Sequence, residues 1–281
     1  MKNEKNMKKW VIVICMLISI QITAQDCHAD LSSLSNCSQI KEASGPYAAI
    51  AQIKMTRALF WKKYEGVAFL IHPRVLLTAG HNLRKKPFFV NPFSSRVIKI
   101  AFHFGSVNKN TSIVDTKVKT KRDENVYYLE SFRKHYNNEE DFAVIILPDS
   151  SVYQKVQFFF KLGTLEDSIY SVHPQINIAG YPGLKGTSLY RTLWKDSTSG
   201  YYLYEDKISK GTCLKYNLFT EHGSSGSPVW YNADAGYSVI GIHTNGFSRR
   251  TKQKCNSATI ITQAAYNQIN EWCKLHSISL Y

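Results

Sequence analysis

Apolar residues in this chain come in runs too short for most helices. They lie at 47–55, 68–72, 97–104, 126–129, 142–147, 176–179 and 237–243, and Gly, Pro, Asn or Asp breaks the chain between them. Runs of this length bounded by turn formers read as strands, and many of them in succession read as an all-β protein. The chain has 281 residues, 44% of them hydrophobic and 20% charged, so it can bury a core and is not a disordered polymer. One helix stands out near the end. Thr262 is placed to cap it, and Ala265, Ile269, Trp272 and Cys273 fall on one face. No repeat of solenoid period and no long low-complexity tract interrupts this pattern.

Against that background three polar motifs stand out. The run Glu221-His222-Gly223-Ser224-Ser225-Gly226-Ser227-Pro228 sets one serine between glycines. A serine hydroxyl needs a base to take its proton and donors to hold the oxyanion that forms on its target. Without side chains at Gly223 and Gly226, the backbone can turn the amides of Gly223 and Ser225 toward one point, as an oxyanion hole. Thr78-Ala79-Gly80-His81 ends a pair of apolar runs and leaves His81 where a strand stops. Asp141 stands at the mouth of the apolar run 142–147, where an acid can be shielded from water. Such an acid fixes an imidazole's tautomer and stabilises the imidazolium formed in proton transfer. Taken singly, Ser225 could sit in a surface turn, His81 in the core and Asp141 at a strand edge.

Together, T-A-G-H, D-F-A-V-I and G-x-S-G-S-P, in the order His, Asp, Ser, resemble the trypsin-like serine protease superfamily, from about residue 44 to the C-terminal helix. Gly180-Tyr181-Pro182-Gly183, Tyr216-Asn217-Leu218-Phe219-Thr220, Val239-Ile240-Gly241-Ile242-His243 and Gly45-Pro46-Tyr47-Ala48 resemble its bacterial glutamyl endopeptidase (V8-like) branch. The resemblance implies two antiparallel six-stranded β-barrels, at 45–150 and 151–281, with the C-terminal helix closing the second barrel. It places the linker around 148–161 and an extended loop within 84–121. It implies a serine endopeptidase with His81, Asp141 and Ser225 as the triad, no cofactor and no metal. No C-x-x-C pair or His/Cys cluster at zinc spacing occurs in the chain.

For specificity, the resemblance puts Phe219 at the pocket floor, where an aspartate would select Lys or Arg, so a basic preference is not expected. Thr220 and His243 match the positions that bind a substrate carboxylate, which implies acidic, glutamate-directed cleavage. The alternative is that both are packing residues. Glu221, His222 and Phe219 depart from the small residues usual there. Two other functions stay open: a non-catalytic trypsin-fold module that binds protein or glycan, and an esterase on the same triad.

The first 24 residues read as a secretory signal peptide: four lysines, an apolar stretch at 10–20, and Thr23-Ala24 as a cleavage site. A stretch of eleven residues falls short of the roughly 20 that span a bilayer, so no lasting membrane anchor is expected. Residues 25–44 are then a pro-peptide or an N-terminal segment, and the protein is expected outside the cytoplasm, as a monomer. Five cysteines follow the leader, an odd number. Cys213 with Cys255, at the entrance of the second barrel, and Cys27 with Cys37 are the expected disulfides, leaving Cys273. The net charge of +14 steers acidic partners. The partners expected are protein or peptide substrates, acidic ones included, and not nucleic acid. The basic run 249–254 borders the substrate groove by the resemblance.

Overall fold

A computed structural model describes residues 37–57, 63–84, 97–108, 110–135, 137–164, 172–183, 191–205, 211–234, 236–246 and 255–280. The leader, Cys27 and the basic run 249–254 lie outside them.

Sixteen strands are described: β1 (Ser38–Gln39), β2 (Ile50–Arg57), β3 (Lys63–His72), β4 (Val75–Thr78), β5 (Val97–Phe104), β6 (Val114–Lys119), β7 (Val126–Tyr128), β8 (Ala143–Ile146), β9 (Lys161–Leu162), β10 (Ile176–Gly180), β11 (Trp194–Thr198), β12 (Tyr201–Glu205), β13 (Thr212–Tyr216), β14 (Pro228–Ala233), β15 (Gly236–Asn245) and β16 (Asn256–Ile260). The helices are α1 (Gly80–Leu83), α2 (Glu130–His135), α3 (Ser151–Val156) and α4 (Gln263–Lys274). The first sheet runs β6-β5-β2-β3-β4-β8-β7, and the second β1-β11-β10-β14-β15-β16-β13-β12, with β9 added beside β15. Among the described strand pairs, only β9 with β15 runs parallel. Six strands per barrel are expected from the sequence, whereas the described sheets hold seven and nine. The surplus includes the two-residue strands β1 and β9, too short to leave a periodic signal.

Each of the seven apolar runs carries a strand, because alternate side chains turn inward and few charges interrupt them, whereas β6, β11, β12, β13, β14 and β16 lie outside those runs. All of β4 and β8 is buried. Within 84–121, where an extended loop is expected, the described residues carry β5 and β6, and 85–96 lie outside the described residues. Gly45-Pro46-Tyr47 forms a 3-10 turn ahead of β2 and does not open a strand. Proline lacks an amide to donate but suits the start of a helix, so it delays pairing until Ile50. The expected linker carries α3, introduced by a turn in which the Ser151 amide donates to Asp149 Oδ1 at 2.8 Å.

Thr262 caps α4, its side chain accepting from the Ala265 amide, and Ala265, Ile269 and Cys273 are buried. The helix packs on the first barrel, not the second as expected: Trp272 stacks on Tyr127 at 5.9 Å and meets Phe142 at 5.8 Å. Ile269, Cys273, Ile278 and Leu280 join a large core that fills the first barrel and extends into the second through Ala179, Trp230, Val239 and Ile242, while Ile176, Leu214, Tyr216, Val229 and Ile240 form a separate core in the second. Apolar area decides this, since the flat ring of Trp272 finds two aromatic faces there.

The expected Cys213–Cys255 disulfide is absent. Cys37, Cys213, Cys255 and Cys273 are all thiols. Cys213 lies opposite Thr259 in the β13–β16 ladder, and Cys255 precedes the Tyr216↔Asn256 pair. That register sets them about four residues, or ~13 Å, apart along the sheet, beyond the ~7 Å that a disulfide tolerates between Cα atoms. Burial pushes the Cys273 thiol up to about 12, which keeps it unreactive.

Candidate active site

Antiparallel pairing of β4 with β8 sets Thr78 opposite Ala143, so the ends of these two strands bring His81 and Asp141 together. The chain turns at Ala79 into α1, which carries His81. Asp141 closes the 3-10 turn Asn138–Glu140 and is 5% exposed. Its carboxylate grips His81 twice. Oδ1 accepts from the His81 backbone amide and Oδ2 from the ring Nδ1, both at 2.8 Å. One group thereby fixes position and tautomer, and Nε2 is left for a reacting proton.

The turn that delivers Asp141 is pinned from the other barrel. Glu139 Oε1 accepts from the Thr212 amide at 2.6 Å, and Thr259 Oγ1 donates to the Asn138 carbonyl at 2.6 Å. Strands β13 and β16 thus help to hold the acid of the first barrel.

Ser225 lies in a knot of backbone bonds between β13 and β14. The Ser224 amide donates to the Glu221 carbonyl at 2.9 Å, the Ser227 amide to the Ser224 carbonyl at 3.0 Å, and the Gly226 amide to the His243 carbonyl at 2.7 Å. Among the described residues, the amides of Gly223 and Ser225 donate to no backbone carbonyl. The Ser225 carbonyl accepts from the Val67 amide and from Asn82 Nδ2, each at 2.8 Å. Asn82 Nδ2 also lies 2.9 Å from Thr78 Oγ1, which donates to the Val67 carbonyl at 2.6 Å. The residue after the histidine therefore ties the serine loop to β3 and β4. No hydrogen bond joins the Ser225 hydroxyl to the His81 ring among the described residues; Asn82 is the bridge between the two segments.

Two glycines permit this approach. Gly226 has φ +95, and a Cβ there would sit 2.0 Å from the Val67 carbonyl oxygen. Gly223 has φ +104 and lies against Tyr181 and Gly183. Both backbones occupy a region that side chains disfavour.

The two residues expected to bind acid have different surroundings. Thr220 Oγ1 is buried without a hydrogen-bond partner and borders a small cavity with Phe219, Lys195 and Ser224. His243 is 2% exposed, and its Nδ1 is 2.7 Å from the Tyr216 hydroxyl. Burial, followed by the nearby His81, pushes the His243 ring down to about 3, so it is neutral at neutral pH. His243 does not line the cavity that Thr220 borders. His222 is exposed, and the Phe219 amide donates to the buried carboxylate of Asp196 at 2.7 Å.

Asn82, Glu139, Asp196 and Tyr216 escape a reading of the sequence. Asn82 leaves a faint signal, a polar residue directly after the histidine in an apolar stretch. Glu139 is hidden in the run Asn137-Asn138-Glu139-Glu140, where each residue suits an exposed turn.

The trypsin family model matches residues 36–272. Glutamyl endopeptidases of Staphylococcus aureus strains MW2 and MSSA476 are 28% identical over 137 residues, or 48% of this chain, and the chain spans little more than a third of their length, 37% and 36%. The solved structure of a Glu endopeptidase in complex with MPD superposes with a TM-score of 0.63 at 20% identity, covering 84% of this chain and 95% of that one. The protease Anisep from Arthrobacter nicotinovorans gives 0.59 at 14% identity, covering 83% and 99%. The last two likenesses establish the fold.

Proposed function

The chain belongs to the trypsin family of serine proteases, and from that membership we propose that it is an exported serine endopeptidase in which His81, Asp141 and Ser225 form the catalytic triad. The observation that carries this reading is the double grip of Asp141 on His81, through backbone amide and ring Nδ1. A carboxylate so placed suits general-base chemistry, because it orients the ring and steadies the imidazolium.

His81 Nε2 takes the proton of the Ser225 hydroxyl as its oxygen attacks the peptide carbonyl carbon. The amides of Gly223 and Ser225 donate to the oxyanion. The imidazolium, steadied by Asp141, then protonates the leaving amine, and water repeats the sequence on the acyl-enzyme. The hydrogen bond from the Ser225 hydroxyl to His81 Nε2 forms when substrate fills the site, since catalytic contacts are commonly completed only in the complex.

The test is Ser225→Ala. A fluorophosphonate probe should label the wild type at Ser225 and leave the variant unlabelled, with peptide hydrolysis falling by at least ~10³-fold and the thermal melt unchanged. Full activity in the variant would remove the triad reading. A peptide-to-ester rate ratio separates a peptidase from an esterase.

We also propose that cleavage follows acidic residues. Support comes from the unpartnered Thr220 hydroxyl, from Lys195 on the same cavity, and from likeness to proteins named glutamyl endopeptidases. His243 acts from behind as a neutral ring. A mixed peptide library should show glutamate enriched before the cut; enrichment of large apolar residues would make Thr220 and His243 packing residues.

A further inference from the structure

A second candidate site lies on the first barrel, at the end away from His81. In the β4–β8 ladder the Thr78↔Ala143 pair leads to the triad, while Val75↔Ile146 marks the opposite end, about 10 Å away. There an open groove of about 360 Å³ is lined by Arg74, Lys117, Lys119, Asn125, Pro148 and His276, with no carboxylate in its wall among the described residues. Five separate segments contribute to it: the β3–β4 turn, β6, the turn before β7, the stretch after β8, and the turn after α4.

One charge in this groove and the end of the strand that carries two others are held in place. Arg74 Nε donates to the Leu147 carbonyl at 3.3 Å, which points the guanidinium along the wall. Asn125 Nδ2 donates to the Lys119 carbonyl at 2.9 Å and fixes the end of β6. Lys117 and Lys119 are exposed and alternate along one strand, so both face the groove side. Lys99 stands directly opposite Lys119 in the β5–β6 ladder and is also exposed. Like charges directly opposite each other destabilise a sheet, and no solubility requirement places them there, since dispersed lysines would serve as well. Asp149 lies within electrostatic reach of Arg74, outside the lining.

We infer that this groove is a binding site for sulfate or phosphate ester groups carried on a linear polymer. Cations from separate elements converge on one concavity, and a tetrahedral oxyanion offers enough acceptor oxygens for all of them, where a carboxylate offers two. Lys99, beyond the groove, extends the positive track past a single anion, which suits a chain of charged groups. The site would hold the protease on a polyanionic surface or matrix while leaving the catalytic cleft open.

The test compares wild type with Lys117→Gln/Lys119→Gln and, as a control, with Lys161→Gln/Lys274→Gln on other exposed positions. Binding to dextran sulfate is measured across a salt series, alongside turnover of a short peptide. The groove variant should bind at least about tenfold more weakly and lose about two from the slope of log affinity against log salt, whereas the control stays within about twofold. Peptide turnover should be unchanged in both. Inorganic phosphate distinguishes the sources: competition at millimolar concentration means the groove takes a single free anion as well, and its absence means that the polymer is required. Equal weakening by the two double variants, or wild-type retention no stronger on dextran sulfate than on uncharged dextran, would overturn the site.

Discussion

Ser225 is held by its carbonyl oxygen, which takes two donors, and its hydroxyl stays available. Asn82 supplies one of those donors through Nδ2. Replacing it by alanine leaves the Ser225 carbonyl with the Val67 amide alone and removes the contact with Thr78. Asn82→Ala is therefore expected to cost about 1–3 kcal/mol of stability. As a positioning residue it should lower kcat about 10- to 100-fold with little change in KM, because misplacing the proposed nucleophile harms the chemical step more than binding. Steady-state kinetics beside a urea melt checks both. At Gly226 the constraint is steric. A methyl group 2.0 Å from the Val67 oxygen, at φ +95, cannot be accommodated without moving the loop. Gly226→Ala should abolish labelling by an active-serine probe and lower the melting temperature.

Among the elements, the 3-10 turn Asn138–Glu140 does more than connect. It carries Asp141 and accepts from β13 and β16, so the position of the acid depends on the second barrel. Glu139→Ala leaves the Thr212 amide without its acceptor and should destabilise by about 1–2 kcal/mol, while Glu139→Gln, which keeps an oxygen there, should recover most of the loss. Urea unfolding of the pair of variants measures this. The helix α4 shows how far an element is legible. Its cap and apolar face follow from residues 262–273, because capping and the 3.6-residue period are local. Its partner is not, because Tyr127 and Phe142 are far away in sequence.

For the whole molecule, His243 links acidity to stability. Its ring titrates at about 3 in the folded protein and near 6.5 when unfolded. Between those values the unfolded chain binds the extra proton, so stability is full above about 6.5 and declines as pH falls toward 3. Urea midpoints measured across that window should fall with decreasing pH, and His243→Gln should flatten the fall. Placing the ring at the junction of β15 with the serine loop means that the same acid transition loosens the site.

The sequence by itself determined the all-β class, the capped terminal helix, and which histidine, aspartate and serine carry a family's motifs, since each depends on residues adjacent in the chain. Only the tertiary structure decided what surrounds them: that Asp141 grips His81 twice, that Asn82 bridges to Ser225, that α4 packs on the first barrel, and that Cys213 and Cys255 lie too far apart along their ladder to join. The physical reason is that register, burial and long-range hydrogen bonds arise between segments, and no single segment specifies the partner it will meet.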